Sequence, residues 1–153
     1  MEFICIPWEQ LPQIALYMDQ VLLVLNQALA PLSVSDEPVV TGTMINNYVK
    51  MKLAAPAIKK KYDREHMARF VMICLLKKVL SMTEIAAILE RLLVDRDLAE
   101  VYDLFCWELE LRLQSMDGPD SEGCPDYLAA AVRAVACKIV LEHMLRDDVS
   151  AEQ

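Results

Sequence analysis

The chain has 153 residues, 56% of them apolar, with three Gly, seven Pro and a formal charge of −8. That is long enough to bury a real core and too apolar for a disordered chain, and the scarcity of Gly points to helices rather than a sheet-rich fold. No uninterrupted apolar run reaches the ~18 residues a membrane span needs. The acidic second residue of "MEFICIPWEQ" is unlike a secretory leader, so a cytoplasmic protein is expected.

In chain order, Leu11, Ile14, Met18, Val21, Leu22, Leu25 and Leu29 recur at spacings of three and four, which predicts a first helix from about Pro12 to Ala30. "APLSVSDEPVV" breaks the pattern and reads as a loop. "TGTMINNYVKMKL" reads as a short helix capped by Thr41 or Thr43, with Ile45, Tyr48 and Val49 inward and Asn46, Asn47 and Lys50 outward. Pro56 makes "AAPAIKKKY" a turn or short extended loop. Asp63 is a good N-cap for the next helix, with Met67, Phe70, Val71, Cys74 and Leu75 as its stripe. "SMTE" forms a capping box from Ser81 to Glu84, so a further helix starts near Met82. A longer helix follows to about Gln114, burying Val101, Tyr102, Phe105 and Leu109. "SMDGPDSEGCP" is the clearest break, and Pro125 opens a last helix to about Leu145 that is apolar on more than one face. The expectation is an all-α bundle of about six helices in a single domain, 1–153, in which 41–94 form one core and 95–153 a C-terminal helical pair suited to dimerisation.

Chemistry of the catalytic kind is not offered. His66 reads as a solvated residue in a first helical turn and His143 as one near a helix C-terminus. The acidic residues read as solvated helix faces, and Glu108 and Glu110 are spaced too closely to face each other. No Gly-rich phosphate loop, nucleophile elbow or zinc-binding His pair occurs. The five Cys are scattered without metal-ligand spacing and suggest no disulfide framework. The two Trp and nine Met read as core rather than as a pocket lining. No enzyme, metal or cofactor is expected.

The charge is unevenly placed. Between Thr43 and Lys78 lie nine of the fifteen basic residues against two acidic ones, a net of +7, while the remainder carries six against twenty-one, −15. Such asymmetry reads as a surface for an anionic partner, nucleic acid first, with a solvated basic face paired to the chain's own acidic helices as the bland alternative.

The order of pieces in this window resembles the winged helix-turn-helix of mercury-resistance-type (MerR-type) regulators. Met44 to Leu53 stand where that family has its recognition helix, Lys60, Lys61 and Tyr62 where its wing ends, and Met67 to Phe70 and Ser81 to Ile85 in its following helix and turn. Asn46 stands in place of the family's usual Arg, and Lys52 in place of its helix-ending Gly. "TMINNYVK…KKKYDREHMARFVMICLLKKVLSMTEI" resembles more closely still a bacterial family filed as a domain of unknown function and described as MerR-like regulators. The resemblance implies a recognition helix at 43–53, a basic wing at 56–62, double-stranded DNA as partner and a homodimer, and it names no effector. On this reading Asn46 and Asn47 address base edges, since an Asn amide pairs bidentately with adenine. Lys50, Lys52, Lys59, Lys60, Lys61 and Arg64 hold phosphates, and Tyr62 anchors the wing. About five phosphate contacts imply a log–log salt slope near −4 to −5. The rival is a helical protein–protein interaction module that binds no DNA.

Overall fold

Capping chemistry sets where the helices begin. The computed structural model describes residues 5–152, and the leader reading of Met1–Ile4 lies outside them. The elements are α1 (Met18–Leu29), α2 (Gly42–Lys50), α3 (Arg64–Leu76), α4 (Met82–Leu92), α5 (Leu98–Gln114) and α6 (Asp126–Ala151), with strands β1 (Leu16–Tyr17) and β2 (Lys61–Tyr62). The fold of the described residues is thus mostly helical, with six α-helices and one small sheet that the helical composition did not foretell. Asp63, Ser81 and Asp97 each accept a hydrogen bond from the amide three residues on, at 3.0, 3.2 and 2.9 Å, satisfying donors that a helix start leaves orphaned. Glu84 completes the box by accepting from the Ser81 amide at 2.9 Å. Among the described residues no helix is long and apolar enough to cross a membrane.

The first helix is shorter than its periodicity suggests. Leu16 and Tyr17 pair antiparallel with Tyr62 and Lys61, so this stretch belongs to a ladder rather than a helix. Gln20 Oε1 then accepts from the Tyr17 amide at 2.9 Å and fixes the start at Met18. Leu11 is buried all the same, in the turn before the strand, whereas Ile14 is 75% exposed. At the other end α6 runs past Leu145 to Ala151.

Helix α3 is the centre of the core. Nine of its residues are buried, from His66 and Met67 through Phe70 and Ile73 to Leu76, because α1, α5 and α6 all pack against it. Each large apolar side chain so buried contributes about 1.5–3 kcal/mol. Helices α5 and α6 form the most extensive helix pair, and Val101, Phe105 and Leu109 of α5 and Val132, Val135 and Ile139 of α6 are all buried in the common core.

Three expectations are corrected by this packing. His66 is not solvated but buried, because the loop Ala55–Pro56 folds over it and takes its Nε2–H at 3.0 Å from the Ala55 carbonyl. Its Nδ1 accepts from the Asp63 amide at 3.0 Å, which makes it the reciprocal member of the cap. Glu108 lies on no solvated face; it is fully buried, with Oε1 accepting from the Ser121 amide at 2.8 Å. Cys5 and Cys106 are joined as a disulfide, although 101 residues separate them.

Asp63 gives a test of the capping argument. Burial works against its carboxylate, but the backbone amides of His66 and Glu65 favour the charged form, and its pKa lies below the ordinary 3.8. A depressed folded pKa contributes stability that is complete above the unfolded value and is lost as pH falls through the folded one. Asp63→Ala should therefore lose about 1–2 kcal/mol at pH 7, and the gap between it and the wild type should narrow below roughly pH 4, read from urea melts across the acid range.

Candidate nucleic-acid interface

Thr41 starts α2 by accepting from the Met44 amide at 3.3 Å. Ile45 and Tyr48 are buried against the body, so the 3.6-residue repeat turns Asn46, Asn47 and Lys50 to solvent. The helix ends in a left-handed residue: the Lys52 amide donates to the Val49 carbonyl at 3.0 Å and the Leu53 amide to the Tyr48 carbonyl at 2.9 Å. This is the Schellman arrangement, usually built on Gly, yet Lys52 occupies it with φ +62°.

The basic turn beyond it repeats the feature. Ile58 and Lys61 exchange both backbone hydrogen bonds, at 2.9 and 3.0 Å, across Lys59 and Lys60. These two have φ +52° and +66°, as in a type I′ turn, where Asn-Gly is favoured. Among the described residues, the non-glycine positions with positive φ are Lys52, Lys59 and Lys60, all in the basic window and all exposed. A left-handed non-glycine residue costs roughly 1–2 kcal/mol. Lys52→Gly should accordingly raise stability by about 1 kcal/mol in a urea melt; a loss would overturn the left-handed assignment.

The remaining expected contacts divide. Lys61 lies partly covered, its Nζ 5.1 Å from the Tyr17 ring centroid. Tyr62 is buried, edge-on to His66 and Phe70 at 5.3 and 5.6 Å between centroids, and anchors the base of the turn. Arg64 is turned to the N-terminal segment, donating to the Leu11 carbonyl at 3.3 Å and lying over the Trp8 ring. Outside the expected set, Arg69 donates to the Leu53 carbonyl at 3.4 Å, and Lys78 pairs with Glu142 at 3.0 Å. Asn46, Asn47, Lys50, Lys52, Lys59 and Lys60 are thus the expected residues left exposed.

A cavity of about 300 Å³ flanks α2, lined by Met44, Asn47, Tyr48, Cys74, Lys77 and Met82 among others. Burial pushes the Cys74 thiol up to about 12 and raises the Tyr48 hydroxyl beside it, 3.9 Å from the sulfur. At neutral pH neither supplies a nucleophile. No group of three metal-ligating side chains gathers among the described residues. What this surface exposes are the amides of Asn46 and Asn47 and the ammonium groups of Lys50, Lys52, Lys59 and Lys60.

His66 escaped the sequence reading, although its signal was present: it lies three residues after an N-cap Asp, where a side chain can return a hydrogen bond to the cap. The interface lies within a stretch that matches a family described as a domain of unknown function, DUF1836, over residues 6–105. No curated protein and no solved structure matches the chain. The match takes in most of the chain, from the N-terminal segment into α5, and the protein belongs to the DUF1836 family.

Proposed function

We propose that α2 and the Lys59–Lys60 turn form the DNA-contacting surface of a MerR-like winged helix-turn-helix, and that the chain acts as a transcriptional regulator on double-stranded DNA. One observation carries the reading. Three lysines hold backbone conformations that Gly or Asn would adopt at lower free energy, and all three are exposed, as are the amides of Asn46 and Asn47. Local strain of this kind is retained where the side chain does something the backbone-preferred residue could not. In the proposed mode Asn46 and Asn47 pair with base edges in the major groove, and Lys50, Lys52, Lys59 and Lys60 fix the register on phosphates. A palindromic site calls for a dimer, with the C-terminal helices as its contact.

The rival reading, a protein–protein module without DNA binding, draws on the self-engagement of the window. Arg64, Arg69 and Lys78 serve this chain's own carbonyls and carboxylate. Selection from random duplex DNA with the purified protein separates the two. Enrichment of a symmetric motif, with discrimination lost in Asn46→Ala/Asn47→Ala while overall retention persists, is the expected result. Absence of any enriched motif would leave the interaction module.

A further inference from the structure

We infer that the outer face of α6 is a homodimer interface, on which the C-terminal half of α6 from a second copy lies antiparallel in the groove between α4 and α6. Helix α6 is apolar on two sides. Leu128, Val132, Val135 and Ile139 are buried in the core. Opposite them, Tyr127, Ala130, Ala134, Cys137, Leu141 and Met144 recur at alternating spacings of three and four, and every one is exposed. Those positions form one exposed apolar seam, and it continues through Leu145 onto turns of α6 where every residue with a described side chain is exposed. Leu141, Met144, Leu145 and Val149 are each about half exposed.

Shape and charge name the occupant. The groove, about 350 Å³, is lined by Leu80, Ala87 and Ile88 on one side and by Tyr127, Ala130, Ala131 and Ala134 of α6 on the other, so its α6 wall is mostly alanine. The bulky side chains lie at the other end of the same helix. An antiparallel pair centred between Cys137 and Lys138 sets Ala130 against Leu145 and Ala134 against Leu141, small against large on both sides of a twofold axis. The same register brings Asp148 to Tyr127, whose hydroxyl accepts from Arg91 at 3.0 Å beneath a guanidinium 5.2 Å from the ring centroid. Among the described residues Arg91 and Asp148 have no ion-pair partner within the chain. A parallel pair would set Arg91 beside Arg91 and Asp148 beside Asp148, and Leu against Leu. From Tyr127 to Asp148 the seam runs about 32 Å.

The inference rests on the dimer part of the reading above and uses none of its DNA contacts. It is tested by sedimentation of the full chain across the micromolar range. The wild type should be a dimer, and Leu141→Glu/Leu145→Glu should weaken association by roughly 100-fold or more without loss of helical signal, since both positions are exposed in the single chain. A wild type that stays monomeric, or a double variant that stays dimeric, overturns the interface. Direction is read by oxidative cross-linking with Cys137→Ser in every chain. A mixture of Ala134→Cys and Leu141→Cys proteins should give the mixed disulfide. Cross-linking of Ala134→Cys chiefly with itself overturns the antiparallel register. A dimer that selects no DNA supports this interface while overturning the DNA reading.

Discussion

Reversing three charges, Lys52→Glu/Lys59→Glu/Lys60→Glu, is expected to abolish retention on duplex DNA at moderate salt, with affinity falling at least ~100-fold. The variant is clean because Glu occupies the left-handed backbone no worse than Lys, and all three side chains are exposed, so the fold should be untouched. Four exposed cations of the proposed contact set, Lys50 included, give a wild-type log–log salt slope near −3.6; one remaining contact gives a slope near −0.9. That is below the five or so contacts that the sequence suggests, because, of the six candidate cations, Arg64 is engaged with Leu11 and Trp8 and Lys61 is partly covered over Tyr17. Fluorescence anisotropy on a labelled duplex over a salt series reads both numbers. Arg64→Ala is the contrasting control, expected to lower the melting temperature and leave the slope alone. An unchanged slope in the triple variant would remove the turn from the interface.

The largest effect on stability is expected at Arg112. Its guanidinium is buried and donates to the carbonyls of Gly118 and Pro119, pinning the loop between α5 and α6. Arg133 reaches the same loop, donating to the Met116 and Gly118 carbonyls at 2.7 and 2.9 Å and pairing with Asp120. Glu108 holds the loop's far side through Ser121. A Cβ on residue 118 would come within 3.1 Å of Arg112 Nη2, which accounts for Gly at that position. Arg112→Met leaves the Pro119 carbonyl without its donor and strips the Gly118 carbonyl of one of its two. The loss should be about 3 kcal/mol, or roughly 6–12 °C in melting temperature for a domain of this size. Arg112→Lys should recover less than half, since a single ammonium cannot fork to both carbonyls. Thermal and urea melts check both, and a loss within 0.5 kcal/mol (roughly the scatter of ordinary surface substitutions) would mean that the loop is held by something else.

Much of the helical order was legible because its signals are local. Asp63, the Ser81–Glu84 box and the Pro125 start each depend on residues within one turn, and each stands where the sequence places it. What failed depends on distant partners. Nothing near Leu16 announces that its amide will pair with Tyr62 rather than continue a helix. Glu108 looks like any acidic residue on a charged helix until the 116–121 loop folds back over it. The union of Cys5 with Cys106 is a matter of tertiary approach that spacing does not encode. At the candidate interface the exposure of Asn46, Asn47 and Lys50 was readable from helical period. The diversion of Arg64 was not, because its acceptor lies 53 residues earlier.

The lacing of the N-terminal segment onto α5 has a consequence for biosynthesis. The Cys5 amide donates to Glu110, the Trp8 amide to Asp103, and the Tyr102 hydroxyl to the Ile6 carbonyl at 2.6 Å, each spanning about a hundred residues. This segment therefore has no docking site until α5 has emerged from the ribosome, a wait of about 5–20 s at ordinary elongation rates. During that interval the apolar side of α1 and the early residues of α3 must collapse without their final cover. An early-made segment is thus completed late, and slowing translation before α5 should lengthen the life of that unclosed form.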